Sequence, residues 1–512
     1  KNIFQRASEN QMFTMSSILD HNAKHYTNNV AMLFEDGTVE TWHRHVEKVA
    51  RLAAGLKKLG LKSSEHIAIL SENSVEQATL FHSCYWSGIV PVPLNFRLSK
   101  IELERLIVQS SAQFLFVSPT FVDLANSITS VAWQGSILLL GSSQSNHTGT
   151  RELISCNDPC DAVATDRDDV ATLLFTGGTT GNGKGVPLTN ENVVSNGLQV
   201  ATALGTGPSE IFLHVAPMFH SADLLGTAVT LGGGAHKYLG EPKPNLLIKS
   251  LQETKITITM APPVLLRAAV NHFSDVICDL PHLRIFICGG APVPYELLKA
   301  ASETMTHTTM VQGYGMTETS PIISFLNWRY ANKEKSSSAL LSSGKPLPGV
   351  ETKLCDINVD GVGELAVRGP SIFSGYYNRT DEVQGLFEDG WFRTGDMASF
   401  DEDGYLHIID RKKDMIITGG ENVYSKEVED VLIKHTKVSE VAVIGLPDEY
   451  WGERVVAVIV CESKVSEDSL HKHCQTYLGK YKIPKEWCFV EEIPKSALGK
   501  TLKNKLRELV GI

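Results

Sequence analysis

ATLLFTGGTTGNGKGVP, residues 171–187, runs from an apolar strand straight into a glycine-rich loop, and its reading decides the fold. Ala171–Phe175 predicts a buried strand. Glycines at 177, 178, 181, 183 and 185 permit positive φ and let backbone N–H groups close on an anion. Thr176, Thr179 and Thr180 add hydroxyl donors, and Lys184 adds a point charge. The pattern predicts a loop that holds phosphate. The spacing from Gly178 through Gly183 to Lys184 meets most of the Walker pattern. It then fails: Gly185 stands where a Ser or Thr should meet magnesium, and Val186-Pro187 blocks an immediate helix, because proline biases the preceding residue toward extended backbone. A mere surface loop is the competing reading, disfavoured because the buried strand leads directly into it.

Working outward, amphipathic helices alternate with short apolar strands. TWHRHVEKVARLAAGLKKLG (41–60) has helical spacing, HIAIL (66–70) reads as a strand, and 77–95 reads as a helix running into a strand. FLFVS (114–118) and ILLLG (137–141) continue the rhythm, and ITITMAPPVLL (256–266) and LRIFICGG (283–290) resume it. The polar stretch 142–169 reads as a surface connection. Such alternation predicts an α/β fold with a mostly parallel sheet covered by helices. After about residue 350, VGELAVRGP, GWFRTGDMASF and GYLHIIDRKKD read as short strands with Gly and Asp turns, a small β-barrel over about 340–410. From 411 the chain reads as a compact α+β unit. The expected division is therefore a large N-terminal domain, 1–410, and a small C-terminal domain, 411–512.

Composition removes other classes. The chain has 512 residues and a formal net charge of −11, which argues against a nucleic-acid surface. No run of about 18 apolar residues suggests a membrane span. The start KNIFQRASENQMF lacks the apolar stretch of a secretory signal, although a first residue other than Met leaves an upstream segment open. Nine cysteines without paired spacing read as reduced thiols in a reducing compartment, the cytoplasm. Cys156 and Cys160 have no partner set at zinc-like spacing.

Further motifs carry two readings each. In GYGMTE (313–318) an aromatic between glycines can offer its face to a purine, and Thr317 and Glu318 can serve a phosphate and its Mg²⁺; equally, the pair can begin a helix. Asp396, ending WFRTGD, can take a ribose diol or close an Asx-turn. Arg411 lies between Asp410 and Asp414, where a solvated salt-bridge cluster competes. His220, ending PMFH, reads first as a core histidine, and Lys500 in IPKSALGKTLKNKLR (493–507) as a surface charge.

Taken in order, these motifs resemble the adenylate-forming superfamily of acyl-CoA synthetases, aryl-CoA ligases, luciferases and amino-acid adenylation domains. The resemblance spans roughly residues 15–510. Two departures stand out: Gly177 replaces a common serine and Gly183 a common proline, and the Gly-Gly form is similar to that of many fatty acyl-CoA ligases. The resemblance implies that Thr176, Gly177, Gly178, Thr179, Thr180, Gly181 and Lys184 meet the ATP phosphates. It implies that Gly289, Gly290, Ala291 and Pro292 wall the adenine and acyl pockets, and that Tyr314, within Gly313–Met316 (with Gly315), stacks on adenine. Thr317 would touch the α-phosphate, Glu318 with Thr176 would meet Mg²⁺, and Asp396 and Arg411 would hold the ribose. His220 would gate the acyl tunnel, and Lys500 would bridge the acyl carboxylate and the nucleotide. Gly420 would pack on the thiol arm of coenzyme A, and Lys413 would be the hinge of a mobile C-terminal lid.

The implied activity is an ATP-dependent acid–CoA ligase acting through acyl-AMP, with ATP, Mg²⁺ and CoA. The apolar segments TITMAPPVLL and SPIISF favour a fatty or other aliphatic acid, with an aryl acid as the alternative. Ser221 stands where amino-acid-activating relatives carry an anchoring aspartate, with Asp223 two residues on, which disfavours an amino acid. A ligase loading a separate carrier protein, a luciferase-type oxygenase and a nucleotide-binding regulatory protein remain as alternatives. The chain is expected to act as a monomer or homodimer, without nucleic acid or an integral membrane segment.

Overall fold

The computed structural model describes residues 13–510, apart from 129–132, 145, 177–182, 275–279, 334–336, 380–384, 420, 462 and 497–498. Internal contacts group the chain into two compact units. One comprises Lys1–Lys335, Pro346–Glu351 and Arg368–Gln384; the other comprises Ser336–Lys345, Thr352–Val367 and Gly385–Ile512.

The first unit is α/β, as the alternating pattern predicts. In its larger sheet the strands run in the order Ile322–Asn327, Thr309–Gly315, Ile285–Gly289, Ile258–Ala261, Ile211–His214, Ala235–Tyr238, Val30–Leu33 and Val39–Thr41. All neighbours between Thr309–Gly315 and Val30–Leu33 are parallel. A smaller sheet, wholly parallel, orders Val90–Pro93, His66–Leu70, Phe114–Val117 and Ser136–Leu139. Helix Trp42–Lys58 starts at Thr41, whose hydroxyl accepts from the Arg44 N–H, and Trp42 is fully buried. Helix Val75–Ser87 is buried on nearly every side and ends at Gly88 with φ +69°; a Cβ there would lie 2.4 Å from Ser63 Oγ.

Two local expectations are revised. The strand Val170–Thr176 joins neither parallel sheet but pairs antiparallel with Lys184–Thr189. The reason lies in Val186-Pro187: an extended chain after the loop returns alongside the strand instead of winding into a helix. The polar stretch 142–169 also contains a helix, Thr150–Ser155. Tertiary packing makes it: Gly55 of helix Trp42–Lys58 leaves room for Leu153, whose Cβ lies 2.9 Å from where a Cβ on Gly55 would sit.

In the second unit, strands Gly363–Arg368, Trp391–Phe400 and Leu406–Arg411 form an antiparallel sheet. A further sheet is built on the hairpin Val438–Asp448/Gly452–Cys461. Its alternation is strict. Val443, Val455, Ala457 and Ile459 face helices Ser425–Leu432 and Glu467–Tyr477, whereas Ala442, Ile444, Val456 and Val458 meet Leu506 of helix Lys503–Val510. The contact grouping follows a different line from the division expected at residue 410, because strand Leu406–Arg411 packs on helix Ser425–Leu432 and Asp410 Oδ2 accepts from Ser425 Oγ at 2.6 Å. Among the described residues no helix is long and apolar enough to cross a membrane.

Candidate active site

In the first unit, hairpin pairing sets Thr176 opposite Lys184 at the two ends of the glycine-rich loop. The loop residues Gly177, Gly178, Thr179, Thr180 and Gly181 lie outside the described residues, as does Gly420. Thr176 Oγ1 donates to the Lys184 carbonyl at 3.4 Å, while Gln109 and Arg379 donate to the Gly183 carbonyl at 3.2 and 3.4 Å. The Lys184 ammonium stands 4.6 Å from the centre of the Tyr376 ring. The Tyr376 hydroxyl in turn donates to Glu318 Oε1 at 2.9 Å. Thus Lys184 and Glu318 are joined through one aromatic ring.

Glu318 sits in the short turn Thr317–Thr319 directly after strand Thr309–Gly315, and strand Lys184–Thr189 packs on that turn. Its backbone carbonyl accepts from Phe373 N at 2.9 Å, so carbonyl and carboxylate are both held by the segment 373–376. Glycine is required around this turn. A Cβ on Gly315 would lie 1.9 Å from the Pro321 carbonyl oxygen, and one on Gly289 would lie 2.6 Å from that of Gly313. Gly289 and Gly313 are register partners at the strand ends, with Gly290 at φ +79° leading to Ala291 and Pro292. These ends therefore bring the GGAP and GYG segments side by side, with Tyr314 half-buried between Gly313 and Gly315. Ser221 Oγ lies 3.1 Å from Thr317 Oγ1, which ties the segment after PMFH to the same turn.

His220 lines a small cavity together with His82, His214, Asp223, Tyr85 and Tyr238. Burial, helped by the nearby Arg97 charge, pulls its pKa down to about 4. Its Nε2 is buried without a hydrogen-bond partner among the described residues.

The second unit gathers the remaining residues. Asp396 on strand Trp391–Phe400 is 2% exposed and pairs across the sheet with Arg411, whose Nε lies 2.6 Å from Asp396 Oδ1. Lys500 follows the turn at Gly499 (φ +80°); its N–H donates to Ser496 Oγ at 3.2 Å and its carbonyl accepts from Ser496 N at 2.7 Å. Much of the residue is exposed, yet its ammonium lies in crowded surroundings. Burial, then the Arg411 and Lys413 cations, pull its pKa below the usual lysine value against Asp396 and Asp414. Lys413 is shifted down too, chiefly by burial.

One carboxylate suits Mg²⁺, which keeps waters and substrate phosphates as its other ligands and needs no all-protein cage. Glu318 fits: Tyr376 holds one of its oxygens, the other carboxylate oxygen can serve, and no cluster of three or more His, Cys, Asp or Glu that could cage a metal occurs among the described residues.

Sequence reading missed Tyr376, though it follows a glycine in GYYNR (375–379), the kind of punctuated aromatic singled out at 314. It also missed the buried His45, His82, His214 and His236, which are scattered through helices and strands.

Comparison with known proteins identifies the family. Residues 19–377 match the AMP-binding enzyme family and residues 427–500 match the AMP-binding enzyme C-terminal domain. The chain is 33% identical over 489 residues to a feruloyl-CoA synthase of Amycolatopsis sp, covering 93% of this chain and 95% of that one. It is 32% identical over 489 residues to a 2-succinylbenzoate–CoA ligase of Oceanobacillus iheyensis, with 93% and 95% coverage. The o-succinylbenzoate CoA synthetase of Bacillus subtilis, solved in complex with its acyl-adenylate intermediate, superposes with a TM-score of 0.83 at 28% identity, covering 96% of this chain and 97% of that one. The same synthetase has been solved with ATP and a magnesium ion (TM-score 0.82, 28% identity, 96% and 99% coverage). With motif order, fold and relatives in agreement over nearly its whole length, this chain is an acid–thiol ligase and belongs to the AMP-binding enzyme family.

Proposed function

We propose that this protein is an acid–CoA ligase acting on an aromatic or aryl-substituted carboxylic acid, with ATP, Mg²⁺ and CoA. The observation that carries the reading is end-to-end similarity to CoA synthases and ligases named for feruloyl and succinylbenzoate groups, with Lys184, Glu318, Asp396 and Lys500 all present. The substrate thereby shifts from the aliphatic acid favoured by the apolar segments to the aryl alternative.

In the first step a carboxylate oxygen attacks the α-phosphorus of ATP, the bond to pyrophosphate breaks, and acyl-AMP forms. Two anions must meet, so neutralising charge and fixing an in-line geometry are the protein's main tasks. Lys184, Thr176 and the loop donors act on the phosphates; Glu318 holds Mg²⁺, which supplies charge neutralisation when bound; Thr317 meets the α-phosphate. Tyr314 stacks on adenine, Asp396 and Arg411 hold the ribose, and Lys500 bridges carboxylate and nucleotide. In the second step residues from 411 onward turn about Lys413, Lys500 withdraws, and the CoA thiol reaches the acyl carbonyl past Gly420. AMP leaves and the thiol proton is released. The nine cysteines without paired spacing suit a reducing, cytoplasmic setting.

Pyrophosphate release measured across benzoic, cinnamic and fatty acids, with and without CoA, tests this. Release with aryl acids, and thioester only when CoA is added, is expected. Release with fatty acids alone would overturn the substrate class, and no release with any acid would overturn the ligase reading.

A further inference from the structure

Behind His220 the first unit encloses a cavity of about 50 Å³, room for a few heavy atoms, and its lining is unusually rich in hydrogen-bonding rings. Two buried chains end on it. In the first, Lys48 and His45 Nδ1 meet the Glu40 carboxylate, His45 at 2.9 Å, and His45 Nε2 lies 2.8 Å from His82 Nδ1. Burial raises the Glu40 pKa, but His45 and Lys48 outweigh it and hold the carboxyl below its usual value. Burial keeps His45 and His82 neutral.

The tautomers follow. Glu40 must accept, so His45 carries its proton on Nδ1 and offers a lone pair at Nε2. His82 must then donate from Nδ1, which leaves its Nε2 as an acceptor. That nitrogen makes no hydrogen bond among the described residues, and His220, on the same cavity, has its Nε2 buried without one there too. In the second chain, Asp223 Oδ1 meets His214 Nδ1 at 2.6 Å, His214 Nε2 lies 2.9 Å from His236 Nδ1, and His236 Nε2 lies 3.1 Å from Thr230 Oγ1.

Tyr85 and Tyr238 also line the cavity, and neither phenol has a hydrogen-bond partner among the described residues. The cavity thus offers an acceptor at His82 and donors at two phenols, with the Asp223 carboxylate alongside. Buried polar groups left unpaired cost about 1–3 kcal/mol each, so an alkyl tail here would be penalised. A second carboxylate would face Asp223 with no cation among these lining side chains to offset the repulsion. A neutral hydroxyl can donate to His82 Nε2 and accept from a phenol at once.

The cavity lies beside the reacting end along the chain: Ser221 contacts Thr317, while His220 and Asp223 on either side of it line the cavity.

We propose that this cavity binds a neutral hydroxyl at the far end of the substrate acid and selects hydroxylated aryl acids over unsubstituted ones; this rests on the ligase reading above. His82 is the acceptor, Tyr85 and Tyr238 are donors, and Glu40 and His45 are positioning residues that fix the His82 tautomer.

The test compares 4-hydroxycinnamic, cinnamic and 4-carboxycinnamic acids by pyrophosphate release and, separately, by calorimetric binding. The hydroxy acid should exceed cinnamic acid by about two- to tenfold in kcat/KM, the worth of one net hydrogen bond, and the carboxy acid should be the poorest. Tyr85→Phe and Tyr238→Phe should each shrink the hydroxy-to-unsubstituted ratio, whereas a merely structural loss would lower both acids and preserve it. A wild-type ratio within twofold, a preference for the carboxy acid, or a ratio unmoved by both variants would overturn the proposal. Hydroxyl-selective binding without pyrophosphate release from any acid would overturn the ligase reading while supporting the hydroxyl site; no selectivity in binding would overturn the site.

Discussion

Tyr376→Phe removes one oxygen and tests whether the ring between Lys184 and Glu318 matters for adenylation. The phenylalanine keeps an aromatic face for the Lys184 ammonium, now 4.6 Å from the ring centre, but deletes the 2.9 Å hydrogen bond to Glu318 Oε1. A hydrogen bond to a charged acceptor contributes about 1.5–3 kcal/mol. Tyr376 is only half-buried, so water can replace part of it, leaving about 1–2 kcal/mol. At about 1.4 kcal/mol per tenfold in rate, acyl-AMP formation should fall about 5–30-fold in kcat/KM. The fall should shrink at high Mg²⁺ if the lost bond had been aiming the carboxylate at the metal. The assay is single-turnover pyrophosphate release across a magnesium titration, run beside thioester formation from supplied acyl-AMP. An unchanged release rate, or equal losses in both half-reactions, would refute the assignment of Tyr376 as the residue that aims Glu318.

Lys500→Ala should cut acyl-AMP formation by about 10²-fold or more, the usual cost of losing a preorganised charge at a reacting centre, yet leave thioester formation from supplied acyl-AMP within a few-fold; equal loss in both would show that Lys500 does not act in the first step alone. Acid should destabilise the fold well above the carboxylate range. His45, His82, His220 and His236 are all held below the ordinary histidine value of 6.5, so the stability they supply is complete above that pH and erodes as pH falls. For His220 the loss levels off near pH 4 and amounts to about 3 kcal/mol. Chemical denaturation at pH 7, 6, 5 and 4.5 should show the decline, and His220→Gln should make it shallower; a flat profile would contradict the neutral state of these rings. Gly315→Ala forces a methyl onto the Pro321 carbonyl and should lower Tm and adenylation together, read by thermal melting, whereas a wild-type melt would mean that the strand end yields freely.

Much of this was legible in the sequence because the signals are local. The helix–strand rhythm up to residue 141 predicts the parallel order of His66–Leu70, Phe114–Val117 and Ser136–Leu139, since one-sided and two-sided burial leave distinct periods. Pro187 announced that no helix follows the loop, but not that Lys184–Thr189 would fold back on Val170–Thr176, because antiparallel return depends on what the neighbouring sheets already occupy. Helix Thr150–Ser155 was illegible for a related reason: its place depends on Gly55, nearly a hundred positions away. Glu318, Asp396 and Lys500 could be singled out by motif, whereas Tyr376 could not, since its role comes from lying between two of them. The histidine chains were hidden most deeply. Glu40, His45, His82, Asp223, His214 and His236 share no spacing, and only the fold aligns their ring nitrogens.

The pairing of Asp396 with Arg411 has a thermodynamic corollary. Arg411 is the last residue of its strand, immediately before the Lys412–Asp414 turn, so the carboxylate that would receive a ribose also anchors the end of that strand. Any ligand that competes for Asp396 Oδ1 must loosen Arg411 by the same free energy with which Arg411 opposes the ligand, because coupling between two equilibria is reciprocal. Nucleotide affinity and the freedom of the chain at 412–414 are then two readings of one quantity. A substitution that raises one is obliged to raise the other.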